Sequence, residues 1–232
     1  MKNKTEDILT YIISISIILS AFLGSVHFWC FNENFYREQH DQIILYGKHI
    51  NEHIGISNEQ LDELTSFTLD YLNDPKSSLD MKMKVKGIDR EVYTKDEKLH
   101  MEDVRKLNLN SVYIMYFSIA CLLLSLGIYL FNKYDIKLLY LTFKKCILFF
   151  GTVFAFIGLW VLIDFDSFWT LFHKIFFTGN DLWILDLRKD ILIMIVPPEF
   201  FNNLVITILI SFVLIITITY FCLYYIWRKV ND

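Results

Sequence analysis

Four runs of this chain, residues 8–30, 111–131, 146–163 and 204–227, contain no Asp, Glu, Lys or Arg. A bilayer core about 30 Å thick takes about 20 helical residues to cross. Lipid offers no partner to an open backbone, so each run is expected to be a transmembrane helix. The third is the shortest. The rest of the chain is polar. Hydrophobic residues make up 54% of the sequence, yet 21% is charged, so the two kinds are segregated along the chain. That pattern excludes a disordered chain or a disulfide scaffold. A net charge of −4 gives no general affinity for phosphate backbones, so nucleic acid is not an expected partner.

The first run follows Lys2 and Lys4, but it is longer than a signal-peptide core of about 7–15 residues. His27-Phe28-Trp29 offers no small-residue cleavage site, so the run reads as an uncleaved anchor. The short loop 132–145 carries Lys133, Lys137, Lys144 and Lys145 against Asp135 alone. Arg228 and Lys229 follow the last run. Positive loops stay in the cytoplasm, so both termini are expected there. The chain then divides into an N-terminal tail and first span (1–30), an extracytoplasmic cap (31–110), two spans with their cytoplasmic loop (111–163), an outer interfacial segment (164–203), and the last span with its tail (204–232). The fold class is a mainly α membrane protein with four transmembrane helices, an extracytoplasmic α/β cap and an interfacial aromatic segment. Cys30, Cys121, Cys146 and Cys222 all sit in or at spans, which leaves no disulfide framework and no CxxC motif.

In the cap, Ser57-Asn58-Glu59-Gln60 reads as a capping box. Leu61, Leu64, Thr68 and Leu72 continue at helical spacing to Asn73-Asp74-Pro75. Met81, Met83 and Val85 alternate with lysines, as in a half-buried strand. Gly87 marks a turn, and Glu91-Val92-Tyr93 is a candidate return strand. Thr94-Lys95-Asp96-Glu97 is a second capping box. Glu97, His100 and Asp103 then share one helix face. Run straight into the second span, that helix would hold His100 roughly 16 Å above Ser111. Leu107-Asn108-Leu109-Asn110 is read as a bend that lowers it. The outer segment packs Phe165, Phe168, Trp169, Phe172, Phe176, Phe177 and Trp183 around His173, which suits a stretch lying in the interface.

Six histidines are candidates for chemistry. His27 reads as a polar residue near headgroups, and His40 as a surface residue. His49 and His53 match the H-x-x-E-H zinc protease pattern, with both rings on one helix face. Their stretch is polar, so a solvated or cap-packing face is the expectation, and no metal is assigned. His100 and His173 lie beside acidic residues or aromatics. A neutral imidazole near pH 7 both takes and gives a proton, so the two would form an acid/base pair over a lipid ester.

Residues 97–104, Glu-Lys-Leu-His-Met-Glu-Asp-Val, resemble the E-x-x-H-M-x-D-V signature of the lipoprotein intramolecular transacylase (Lit) family of bacterial membrane proteins. The resemblance continues through residues 172–177, then Asn180-Asp181-Leu182-Trp183, Asp186, Asp190 and Pro197. One departure is Leu187, where the pattern has proline. The resemblance implies a membrane acyltransferase acting on a diacylated lipoprotein, with membrane lipid around it and no cofactor. The acyl chain would move from the sn-2 glycerol oxygen to the N-terminal Cys α-amine, giving an N-acyl lyso-form. His100 and His173 would be the catalytic pair at the outer leaflet of a bacterial cell membrane. Glu97, Asp103, Asp181 and Asp186 are candidates to orient the rings. Trp183 and Asp190 complete the supporting set, and the aromatic segment would hold acyl chains. The alternative is a non-enzymatic sensor or assembly factor binding a partner through its cap. No span carries a charge or a Gly/Pro-broken middle, which argues against a transporter.

Overall fold

A computed structural model describes residues 4–231; Lys2, named above as preceding the first run, lies outside them. The elements run α1 (Lys4–Cys30), α2 (Glu33–Gln42), β1 (Ile44–Leu45), β2 (Lys48–His49), α3 (Ile50–Ile54), α4 (Asn58–Asn73), β3 (Lys82–Val85), β4 (Ile88–Glu91), α5 (Lys95–Phe131), α6 (Ile136–Ile163), α7 (Phe165–Phe176), α8 (Ile191–Ile195) and α9 (Pro198–Asn231). They form two compact units, one of Met1–Phe28, Ser111–Ile163 and Ile206–Asp232, the other of Trp29–Asn110 and Asp164–Val205.

The first unit is a four-helix bundle. Each helix is long and apolar enough to cross a membrane. Leu9 and Ile13 of α1 pack with Tyr129 and Leu139. Ile18 packs with Phe143, Cys146, Phe212 and Ile216. Between helices in lipid there is no hydrophobic drive, so small polar groups carry part of the cohesion. Thr10 Oγ1 donates to Thr142 Oγ1 at 3.2 Å, and Ser20 Oγ donates to Ser118 Oγ at 3.1 Å. Leu124, Phe156 and Ile218 are exposed. An apolar outer face of this kind belongs in hydrocarbon.

The helices outrun their apolar stretches. Glu6 and Asp7 sit in the first turn of α1, and Arg228 and Lys229 in the last turn of α9, both favourable to the helix dipole. α9 begins on Pro198, whose missing N–H costs nothing at a first helical position. α6 begins at Ile136, so the short third run is only its last part.

The second unit holds the cap elements. α2 buries Phe35, Tyr36, Gln39 and His40. Phe35 and Tyr36 pack on Phe200, at 5.5 and 4.7 Å between centroids. His40 is therefore not at the surface. It is 5% exposed, and its Nε2 donates to Ile195 O at 2.9 Å. The polar sequence around it hid a buried face that takes part of its hydrogen bonding from distant residues, although His40 Nδ1 has no partner among the described residues. Asn203 Nδ2, for example, donates to Gln39 Oε1 at 2.6 Å.

Two hairpins follow the same rule. Tyr46-Gly47 and Lys86-Gly87 have positive φ at both positions, as two-residue turns between antiparallel strands require. The second joins β3 to β4 with Lys82 opposite Glu91 and Val85 opposite Ile88. The return strand is thus Ile88–Glu91, and Val92 and Tyr93 are buried beyond it. Tyr93 Oη pairs with Thr68 Oγ1 at 2.6 Å. The Ser57–Gln60 capping box is formed on both sides.

α3 ends on Gly55 at φ 84°, and Gly55 O accepts from Lys86 N at 2.9 Å. A Cβ there would lie 2.5 Å from Lys86 Cγ. Gly55→Ala is expected to lower unfolding free energy by about 1–2 kcal/mol, the left-handed penalty of an L-residue. Chemical denaturation of the purified protein measures it.

The expected bend at 107–110 is absent. α5 runs unbroken through it, over 37 residues. Asn108 Nδ2 donates to Leu72 O at 3.0 Å, outside its own helix, so it does not compete for α5 backbone groups. Arg105 fixes the same stretch, lying 4.2 Å over the Tyr71 ring and donating to Ser77 O at 2.8 Å.

Candidate active site

α5 starts on a capping box that does more than cap. Thr94 N donates to Glu97 Oε2 at 2.6 Å, and Glu97 N donates to Thr94 Oγ1 at 3.3 Å. The other carboxyl oxygen, Oε1, accepts from Leu192 N at 2.8 Å. Glu97 is 0% exposed. Both its oxygens are thus committed to backbone donors, and it clamps the start of α5 to α8 rather than orienting an imidazole. One turn on, the same face presents His100.

α7 is amphipathic in an unusual sense. Leu171, Ile175 and Phe176 are exposed, while His173 is its buried residue. An exposed apolar face suits a helix lying at a lipid interface. His173 is enclosed by rings. Trp169 lies at 4.7 Å, Trp183 at 4.9 Å, Phe177 at 5.4 Å and Phe172 at 5.7 Å between centroids.

The two histidines meet. Their rings stack at 6.0 Å between centroids, tilted by 28°. Phe177 packs its ring against both, at 5.1 Å from His100. His100 is 7% exposed and His173 6%. Asn180 Nδ2 donates to Asp103 Oδ2 at 3.2 Å, which ties the loop after α7 to the α5 turn carrying His100.

Burial favours the neutral form of both rings. It lowers the His100 pKa to about 4, helped by the adjacent His173 and opposed by Asp103. Burial also lowers that of His173, opposed by its bond to the Trp169 carbonyl. That bond fixes a tautomer. His173 Nδ1 donates to Trp169 O at 2.8 Å, so the proton is on Nδ1 and Nε2 carries a lone pair. His100 has the opposite arrangement. Its Nδ1 is buried with no hydrogen-bond partner among the described residues. An N–H there would be stranded, so the proton belongs on Nε2. One ring thus offers a base and the other a donor.

The remaining carboxylates serve their own loop. Asp190 is buried and accepts from Asp186 N through Oδ2 at 2.8 Å. Asp186 pairs with Arg188 at 3.1 Å. Asp181 lines the clefts around this loop. Leu187, the departure from proline, sits in this turn, and its carbonyl accepts from His53 Nε2 at 3.3 Å. His49 ends β2 and only precedes α3, so it shares no helix face with His53. His53 instead stacks on Tyr46 at 5.4 Å. The sequence named the aromatics as a group. It did not single out Trp169, whose ring packs on His173 at 4.7 Å and whose backbone carbonyl accepts from Nδ1, a main-chain contact that no residue type at 169 would have signalled.

Four helices long and apolar enough to cross a membrane, together with a buried pair of adjacent histidines in the polar unit, define a multi-pass membrane protein with a candidate site at that pair. The model of the family "Lipoprotein intramolecular transacylase Lit" matches residues 11–201, and the chain belongs to this family of acyltransferases. The fold is that of the membrane-integral lipoprotein intramolecular transacylase Lit from Bacillus cereus. One of its structures is 22% identical, with a TM-score of 0.78 over 97% of each chain. A structure of the same protein with one histidine replaced by arginine is 20% identical, with a TM-score of 0.74 over 97% of this chain and 93% of that one. No curated protein matches the chain.

Proposed function

We propose that the protein moves the sn-2 acyl chain of a diacylglyceryl lipoprotein to that lipoprotein's own N-terminal Cys α-amine, by catalysis at His100 and His173. The observation that carries this is the 6.0 Å ring pair with complementary tautomers. Donor and acceptor belong to one molecule, so no acyl-enzyme is required. The α-amine, with an ordinary pKa of about 7.7–8.0, must lose a proton to attack. His173 Nε2 takes a proton from the attacking nitrogen. His100 Nε2–H donates to the developing oxyanion. As the C–O bond breaks, His173 returns the proton to the glycerol oxygen. The N–C bond replaces the O–C bond, and atoms balance within the substrate. General acid–base help supplies about 10²–10⁴-fold. Folding amine onto ester supplies more, since effective molarities reach about 10⁵–10⁸ M.

The exposed apolar face of α7 and the rings around His173 suit acyl chains. The lysines of loop 132–145 and the Arg228-Lys229 tail support cytoplasmic termini, with this site on the outer side.

The purified protein in vesicles, given a synthetic diacylglyceryl lipopeptide, is expected to yield an isomer of unchanged mass. Fragmentation then finds the acyl group on the terminal nitrogen. The pH profile of kcat/KM carries the second expectation. Above pH 6.5 both rings are neutral, and the His100 pKa near 4 keeps its ring neutral well below that. The acid limb then follows the amine, near pH 8, with no inflection at 6.5. A product acylated only on oxygen, or a limb at 6.5, refutes the reading.

A further inference from the structure

The second unit also contains a cleft of about 650 Å³, within the range of ~300–1,000 Å³ usual for ligand sites. Its wall includes Asp181 and Leu182. The next residue, Trp183, lies against His173. One loop therefore separates the cleft from the histidine pair. Ile88 and Arg90 of β4 also line it, with Lys86, Arg188 and Lys189. Among the described residues, no carboxylate reaches Lys86, Arg90 or Lys189 within ion-pair distance. Asp96, Asp181 and Asp190 contribute the opposite charge.

The surroundings of His173 are aromatic, whereas this cleft sets apolar residues such as Val85, Ile184, Leu185 and Met194 among charges of both signs. An acyl chain would leave those charges without partners. An anionic headgroup would call for cations without three carboxylates among them. A polypeptide carries both signs, together with backbone donors and acceptors. The reaction above needs somewhere for the chain beyond the reacting Cys to go. Every residue of β4 is exposed. In its two-stranded sheet, β4 has one edge without a strand partner, so an extended chain finds main-chain partners there as well.

We infer that this cleft binds the polypeptide segment that follows the lipidated N-terminal residue of the substrate. The inference rests on the proposed function for what the substrate is, but its test does not depend on turnover. Two fluorescent ligands carry the same diacylglyceryl-Cys head. One stops one residue later, and the other continues through about ten residues rich in Asp and Glu. Their dissociation constants are measured with the full-length protein in detergent micelles. Arg90→Glu/Lys189→Glu changes two exposed positions outside the histidine pair. The double variant is expected to weaken the long ligand about tenfold and leave the short one unchanged, as loss of two exposed ion pairs predicts. A basic tail should bind the variant more tightly. An equal loss for both ligands would indicate headgroup recognition and overturn the inference. No change for either ligand overturns it too. Product analysis with the unaltered protein separately decides the reaction, so failure there and failure here are distinct results.

Discussion

His100→Ala and His173→Ala are each expected to cut formation of the N-acyl lyso product by at least about 10²-fold, the lower end of what a positioned acid or base contributes. The double variant should lose little beyond the worse single one, because the two rings act in one step. His173→Asn separates chemistry from packing. Its amide N–H can still reach toward the Trp169 carbonyl that now accepts from Nδ1, at 2.8 Å in the native ring, but it offers no base. Thermal unfolding of each variant in detergent checks that the fold is kept. If both alanine variants convert substrate at the native rate, the pair is not catalytic. A partner-binding sensor working through its cap surface would give that result.

Glu97→Ala is expected to be the most damaging substitution outside the histidines. It leaves the N–H groups of Thr94 and Leu192 without their acceptors, the second of them buried. At about 1–3 kcal/mol for each stranded donor, the loss is about 2–6 kcal/mol. That is a large share of the roughly 5–15 kcal/mol that holds a typical domain together. Gln should rescue little, since one of its two positions would present N–H to N–H. A thermal midpoint equal to that of the native protein in both variants would contradict the clamp.

The parts of the fold that were legible in the sequence are those governed by neighbours in the chain. Uncharged runs mark the four long helices because lipid permits little else. The Ser57 and Thr94 boxes mark helix starts through contacts three residues apart. β3 shows in its alternation. What escaped is governed by distant partners. α2 looks solvated because Gln39 and His40 are polar, and only Asn203 and Ile195 make their burial tolerable. Glu97 reads as a cap, and its tie to Leu192 lies 95 residues away. Asn108 reads as a helix breaker until Leu72 is seen to absorb its side chain. His100 and His173 were both nominated by their surroundings, yet no spacing in the sequence could place their rings 6.0 Å apart. Nor could it assign the proton on either.

The hydrogen bond from His173 Nδ1 to the Trp169 carbonyl carries one more consequence. Where a carboxylate orients a histidine, that acidic residue can be lost by a single codon change. Here the acceptor is main chain, one helical turn back, and every residue type at position 169 supplies the same oxygen. The tautomer is inherited with the helix itself. A carbonyl has no net charge, however, so it offers an imidazolium less comfort than an aspartate would. On the proposed role, the proton is held only fleetingly, which suits a relay between two atoms of one substrate better than storage between two half-reactions.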